Sequence, residues 1–298
     1  MQSCVTTGLM SVSAILSVVS KPEDSRTVSR WGIIARRGAL SLLVLGVVSY
    51  FAIVAFVYFR QEKLIFQPLP LSADHQFKIA DVQEVRVPVA GAELSALHLR
   101  LPNPKGVVFF LHGNGGNLQT WLTSVDFYRR VNYDLFIIDY RGYGKSSGQI
   151  ESEEQLHADV RTAWRTIAPG YAGKKLVVYG RSLGTGLAAK LSSEIQPDLT
   201  VLVSPYESLK AMGDAHYPWL PGVINRYTMR TDQWLPAIKR AVMIEHGDMD
   251  TLIGLSHSER LKRLRSTTEL VVVTGAGHND IHKFPVYLDT LSERLTNL

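Results

Sequence analysis

Val177-Val178-Tyr179-Gly180-Arg181-Ser182-Leu183-Gly184-Thr185-Gly186 decides how this chain is read. A short apolar, β-branched run ends in G-x-S-x-G. A helical pattern then opens at Leu187-Ala188-Ala189-Lys190-Leu191. Strand, sharp turn and helix in that order lift a serine hydroxyl clear of its own strand, as a nucleophile requires. Gly180 and Gly184 flank Ser182, and without Cβ atoms they let the strand and helix backbones approach closely. By itself the pentapeptide fits a glycine-rich turn with a surface serine equally well. The rest of the chain decides between the two.

Working outward, buried-strand patterns recur on both sides of this stretch. Val82–Val89 and Glu93–Arg100 read as two strands joined at Ala90-Gly91. Val107–Leu111, Leu135–Asp139, Leu199–Val203, Ala241–Ile244 and Leu270–Val273 are short apolar runs, as in strands covered on both faces. Helical spacing lies between them, with Glu153–Thr166 capped by Ser152. The alternation predicts an α/β fold with a mostly parallel, doubly wound sheet. In such a sheet the site lies at the carboxyl ends of the strands.

A serine nucleophile needs a base, and the base needs an acid to orient it. His246-Gly247-Asp248-Met249-Asp250 follows one late strand, and Gly275-Ala276-Gly277-His278 follows the next. Acid then histidine is the order expected after the serine. His278 is the expected base. Asp250 is preferred as the acid over Asp248, which directly follows the turn glycine and can cap that turn. His112 and His246 read as braces for the strand-end loops. Two backbone N–H groups must hold an oxyanion, and Leu183 and Asn114 are the expected donors, with Gly115-Gly116 letting the second loop fold close. A phosphate cradle is the other use of such a loop, but no G-K-[ST] directly follows it.

The chain has 298 residues and a net charge of +5. That is enough for one α/β domain plus an appendage. The charge is spread out, with no basic stripe interleaved with aromatics, which argues against nucleic acid as a partner. Cys4 is the only cysteine, so an internal disulfide and a thiolate zinc cluster are both excluded. No metal or organic cofactor is expected. Leu40–Phe59 carries no charge, Asn, Gln or Pro. As a helix it is about 30 Å long, matching the hydrocarbon core of a bilayer. The expected order is a flexible tail over 1–39, a transmembrane helix over 40–59, a linker over 60–81 and the folded domain over 82–298. Arg26, Arg30, Arg36 and Arg37 precede the span, and Arg60 and Lys63 follow it. The excess before it puts the N-terminus in the cytoplasm and the large domain on the other side. Residues 204–239 are long for a crossover and rich in aromatics, which predicts a small cap. Its apolar side chains either pack that cap or line a pocket.

From about Gln61 onward the chain resembles the α/β-hydrolase superfamily. The resemblance rests on Glu62-Lys63-Leu64-Ile65-Phe66-Gln67-Pro68, His112-Gly113-Asn114, Asp139-Tyr140-Arg141-Gly142-Tyr143-Gly144-Lys145-Ser146 and Gly180-Arg181-Ser182-Leu183-Gly184. It continues through Tyr217-Pro218-Trp219-Leu220-Pro221, His246-Gly247-x-x-Asp250 and Gly277-His278-Asn279-Asp280. It is most similar to the membrane-anchored branch that includes the Bem-type proteins and the depalmitoylase-like hydrolases. The resemblance implies an α/β-hydrolase fold and a Ser182–Asp250–His278 triad. It also implies cleavage of an ester or thioester through an acyl-enzyme, on a small or lipid-derived substrate. Tyr217, Trp219 and Leu220 are the cap residues expected to line the acyl pocket. Prolyl-aminopeptidase-like peptidases share the scaffold and need carboxylates for a substrate amine, for which Glu207 and Asp214 are available. A non-catalytic binding protein is the third reading.

Overall fold

The computed structural model describes residues 25–122 and 125–298. The first helix, α1, runs from Ser25 to Ile65. The chain divides into two compact units within it, one through Ile53 and one from Val54. In the first unit the described side chains, from Arg30 on, are exposed. Among the described residues one helix, over Arg30–Ile65, is long and apolar enough to cross a membrane.

The helix is longer than the apolar run at both ends. Of the tail expected over 1–39, residues 1–24 lie outside the described residues, and the remainder is helical rather than flexible. No proline falls between Ser25 and Gln67, so nothing interrupts the helix until Pro68. Arg60, Gln61, Glu62 and Lys63 are good helix formers and carry it past Phe59.

The second unit holds an eight-stranded sheet in the order β1-β2-β4-β3-β5-β6-β7-β8. The strands are β1 Val82–Val89, β2 Ala92–Leu99, β3 Gly106–Leu111, β4 Tyr133–Ile138, β5 Lys175–Arg181, β6 Leu199–Val203, β7 Ala241–Gly247 and β8 Glu269–Val273. β1 pairs antiparallel with β2, β2 pairs antiparallel with β4, and the remaining pairings are parallel. β3, β4 and β6 are buried along their whole length, as their unbroken apolar runs require. The helices after α1 are α2 Leu118–Trp121, α3 Val125–Val131, α4 Glu153–Ile167, α5 Leu183–Ile195, α6 Leu209–His216, α7 Thr231–Trp234, α8 Ser256–Leu264 and α9 Pro285–Thr296. One core joins the sheet to α4, α5 and α8. The other lies under α3 and α9. From β3 the chain steps to β4 on one side, then returns to β5 on the other. The crevice beyond the carboxyl ends of β3 and β5 is therefore the topological switch point of the sheet.

Residues 204–239 contain α6, α7 and two single turns of 3-10 helix. Tyr206, Tyr227, Met229, Leu235 and Ile238 are buried in the α4–α5 core. The Tyr206 hydroxyl donates to the Leu183 carbonyl at 2.9 Å. The segment expected as a linker over 60–81 is a strap bonded to the sheet ends. Phe66 is buried. Leu69 N–H donates to Gly116 O at 3.2 Å, and Leu71 N–H donates to Gly144 O at 2.8 Å. Asn117 Nδ2 donates to Leu69 O at 2.9 Å.

Candidate active site

Ser182 stands between β5 and α5 with φ 51° and ψ −118°, a left-handed backbone that a non-glycine residue adopts only when its surroundings enforce it. The two glycines are what allow this. A Cβ on Gly184 would meet the Leu111 carbonyl oxygen at 2.0 Å, and one on Gly180 would meet the Gly184 carbonyl oxygen at 2.5 Å. Ser182 occupies the N-cap position of α5, yet its side chain caps nothing. Its Oγ lies 2.9 Å from His278 Nε2 instead.

His278 Nδ1 lies 2.7 Å from Asp250 Oδ2. A carboxylate can only accept, so Nδ1 carries the proton and Nε2 is left to accept from the serine hydroxyl. Asp250 Oδ1 accepts from the backbone N–H groups of Leu252 at 3.0 Å and Ile253 at 2.8 Å. Burial pushes the Asp250 carboxyl up. The hydrogens and charge that His246 and His278 direct at it, with the Ile253 N–H, outweigh burial and hold it well below the usual carboxylate range. His246 is fully buried. Its Nε2 donates to Ile253 O at 2.7 Å, and its Nδ1 accepts from the Ser258 hydroxyl at 2.6 Å. It braces the acid loop. Asp248 is exposed, and its Oδ1 accepts from Gly275 N–H at 2.7 Å, which ties two turns together rather than orienting His278.

On the other side of the serine, a Cβ on Gly113 would lie 3.2 Å from Ser182 Cβ and 2.8 Å from the Trp121 ring. The loop thus packs directly on the serine. Leu183 opens α5, so its N–H has no acceptor within the helix. Asn114 follows Gly113, and its side chain has a role the sequence did not disclose. Its Oδ1 accepts from Gln67 N–H at 3.0 Å, Gly115 N–H at 2.9 Å and the Tyr143 hydroxyl at 2.9 Å. Its Nδ2 donates to Ile65 O at 2.5 Å, at the end of α1. His112 donates from Nδ1 to Gly113 O at 2.7 Å and stacks on Trp121, so it braces this loop as expected.

A cavity of about 440 Å³ opens beside the site, on the α3–α9 face of the sheet. Phe110, Tyr128, Tyr179, Leu288 and Leu291 wall it, and Asn114, Gly115, Arg181 and Asn279 stand where it meets the two loops. Trp121 and Arg181 join those loops across the cavity. Trp121 Nε1 donates to Gly115 O at 2.9 Å. The Arg181 guanidinium lies 5.4 Å from the Trp121 ring and donates to His278 O at 3.3 Å. Tyr217, Trp219 and Leu220, expected to line the acyl pocket, are not among its walls. Tyr217 and Trp219 are 55% and 51% exposed on the cap. The buried residues of the cap belong to the core on the opposite face of the sheet. Composition marked Tyr217, Trp219 and Leu220 as apolar but could not say which face they covered. Among the described residues no cluster of side chains is suited to a metal ion.

The fold and the switch-point serine define an α/β-hydrolase. A family described as serine aminopeptidase S33 matches residues 102–229. Human alpha/beta hydrolase domain-containing protein 17B is 30% identical over 220 residues, covering 70% of this chain and 74% of that one. The 17C protein of Xenopus tropicalis is 30% identical over 237 residues, covering 76% and 74%. A Pyrococcus furiosus esterase superposes with a TM-score of 0.62 at 21% identity, covering 78% of this chain and 97% of that one. A thioesterase domain from the curacin biosynthetic pathway gives a TM-score of 0.54 at 14% identity, covering 73% and 99%, and so shares the fold. The chain belongs to the alpha/beta hydrolase domain-containing protein 17 family.

Proposed function

We propose that this protein is a membrane-anchored serine hydrolase that cleaves carboxylic esters or thioesters through an acyl-enzyme. The observation that carries the reading is the unbroken relay from Asp250 through His278 to Ser182, at 2.7 and 2.9 Å. His278 Nε2 takes the hydroxyl proton as Ser182 Oγ attacks the acyl carbon, and Asp250 holds the imidazolium that forms. The backbone N–H groups of Leu183 and Asn114 receive the oxyanion. His278 then returns the proton to the leaving oxygen or sulfur. In the second half water attacks the acyl-serine, gives its proton to the same nitrogen, and frees Ser182 and the acid. The cavity beside the oxyanion loop has the apolar walls and polar mouth suited to an acyl chain. By the excess of arginine before the span, the N-terminus is cytoplasmic and the hydrolase domain lies across the membrane.

The aminopeptidase description of the matching family favours a second reading, a peptidase on the same triad. It needs free carboxylates for a substrate amine. Glu207 already accepts from Arg260 Nε at 2.5 Å and lies 3.1 Å from His257 Nδ1. Asp214 is paired with Lys210 at 2.5 Å. The ester reading is preferred on that ground. The test is labelling by a fluorophosphonate together with turnover of an aryl ester and aryl thioester chain-length series. Ser182→Ala is expected to abolish labelling and to lower turnover by about 10⁶-fold. Equal turnover by parent and variant would overturn the mechanism, and a clear preference for aminoacyl amides would favour the peptidase.

A further inference from the structure

The cap carries an apolar knuckle that no part of the mechanism uses. Val223 is 90% exposed, Tyr217 55% and Trp219 51%. Val223 is the middle residue of a single 3-10 turn, Gly222–Ile224. Exposing side chains of this kind together marks a surface that meets something apolar.

The knuckle is fastened to the last turns of α1. Gln61 is only 4% exposed although it sits on that helix. Its Nε2 donates to Ile224 O at 2.6 Å, and its Oε1 accepts from Arg226 N–H at 2.9 Å. Glu62 pairs with Arg226 at 2.8 Å and accepts from the Tyr227 hydroxyl at 3.0 Å. The Arg226 guanidinium lies 5.8 Å from the Tyr58 ring.

These bonds fix the level of the knuckle along the helix. Gln61 lies two residues past Phe59, where the apolar run ends, which is about 3 Å along the axis. Val223 neighbours the residue whose carbonyl Gln61 holds. Tyrosine and tryptophan gather where a bilayer's hydrocarbon meets its headgroups, and Tyr58, Tyr217 and Trp219 share this region of the unit. Arg60 and Lys63, exposed on the same helix end, carry the charge that headgroup phosphates attract.

We propose that the knuckle over residues 217–224 docks on the phospholipid bilayer, with Val223 in the headgroup boundary of the membrane that α1 crosses. The proposal rests on the reading that α1 is a membrane span. A bilayer is favoured over a protein partner because the knuckle is continuous with a helix end whose own apolar residues, Tyr58 and Phe59, are exposed at the same level. Docking there would hold the hydrolase domain against the surface from which a lipid-borne ester arrives.

The test uses the full chain in phosphatidylcholine–phosphatidylserine vesicles, with Cys4→Ser as background. Val223→Cys carries an environment-sensitive fluorophore, and Glu293→Cys, exposed on α9 on the other face of the sheet, is the control. The chain is expected to float with the vesicles. The label at position 223 is expected to shift to the blue, resist iodide, and be quenched by lipids spin-labelled near the headgroup, while the label at 293 does none of these. A floating chain whose two labels are equally open to iodide would overturn the docking and leave the span intact. A label at 223 that resists iodide but is not quenched by spin-labelled lipid would mean that protein, such as a second copy of this chain, covers the knuckle, and would also overturn it. Failure to float would remove the span reading and the docking together.

Discussion

The two loops that flank Ser182 are held in opposite ways. The acid–histidine side is held from within. His246 is buried beneath it, Asp250 accepts two backbone N–H groups of its own loop, and Met249 N–H donates to Ala276 O at 3.0 Å. The side proposed to hold the oxyanion is held from outside. Asn114 is exposed, and three of its side-chain bonds reach Ile65, Gln67 and Tyr143. Two of these partners belong to the strap that continues α1. One half of the site thus carries its own rigidity, while the other takes it from the segment that leads out of the candidate membrane helix.

The largest effect that can break this comparison lies on the acid side. Asp250→Asn is expected to lower kcat for an aryl ester by about 10⁴-fold, because an amide in place of the carboxylate lets His278 adopt the wrong tautomer. A loss below tenfold would move the acid's role to Asp248. The same residue sets a pH dependence of stability. Its folded carboxyl is held below the ordinary value of 3.8, so it stabilises the fold above that pH and the stabilisation is lost as pH falls below it. The stability difference between parent and Asp250→Asn is therefore expected to shrink in acid below about pH 4, read by urea unfolding across pH.

Asn114→Ala tests the oxyanion side and should cost less. The variant keeps the backbone N–H that the proposed mechanism uses and loses the side-chain bonds to Ile65 and Gln67, while the bonds of Leu69 to Gly116 and Asn117 remain. Loosening a donor is bounded by the cost of deleting one, so kcat should fall roughly ten- to a hundredfold. KM should change little, because the oxyanion forms only on the way to the intermediate. Unchanged kcat would mean that the strap is a tether without influence on the site.

This contrast also explains how far the sequence could be read. Ser182, Asp250 and His278 are recognisable because each follows a strand whose apolar run is itself visible, and their chain order matches the chemistry. His246 could be read as a brace because its partners are near in sequence. The bonds from Asn114 to Ile65 and Gln67 cross nearly fifty residues and leave no periodic trace. The cavity was hidden for another reason. Phe110 and Tyr179 alternate onto the α3–α9 face, and Leu288 and Leu291 lie on α9, so all of them look like ordinary core residues. Tyr217 and Trp219 drew notice because aromatics in a long crossover are unusual, yet only the packing of that segment decides which way they face.

The smallest expected effect concerns a liability inside the well-braced half. Glu245 lies on β7, the strand that feeds the acid loop. It is fully buried, and neither carboxyl oxygen has a hydrogen-bond partner among the described residues. Burial, and then the charge of Glu269, push its carboxyl well above the ordinary value of 4.5. The folded state therefore holds a proton that the unfolded state gives up. As pH rises above 4.5, this one group costs stability at about 1.4 kcal/mol per pH unit, until pH reaches its folded value. Glu245→Gln keeps the shape and removes the titration. Parent and variant are expected to unfold at nearly the same urea concentration near pH 4. Above that pH the variant should become progressively the more stable. The sign is opposite to that of Asp250, whose contribution is lost in acid, so one pH series of urea unfolding separates the two carboxylates. A gap that stayed flat with pH would mean that Glu245 is ionised and paired in the folded state, and the acid side would then have no such liability to set against the exposed bracing of the other loop.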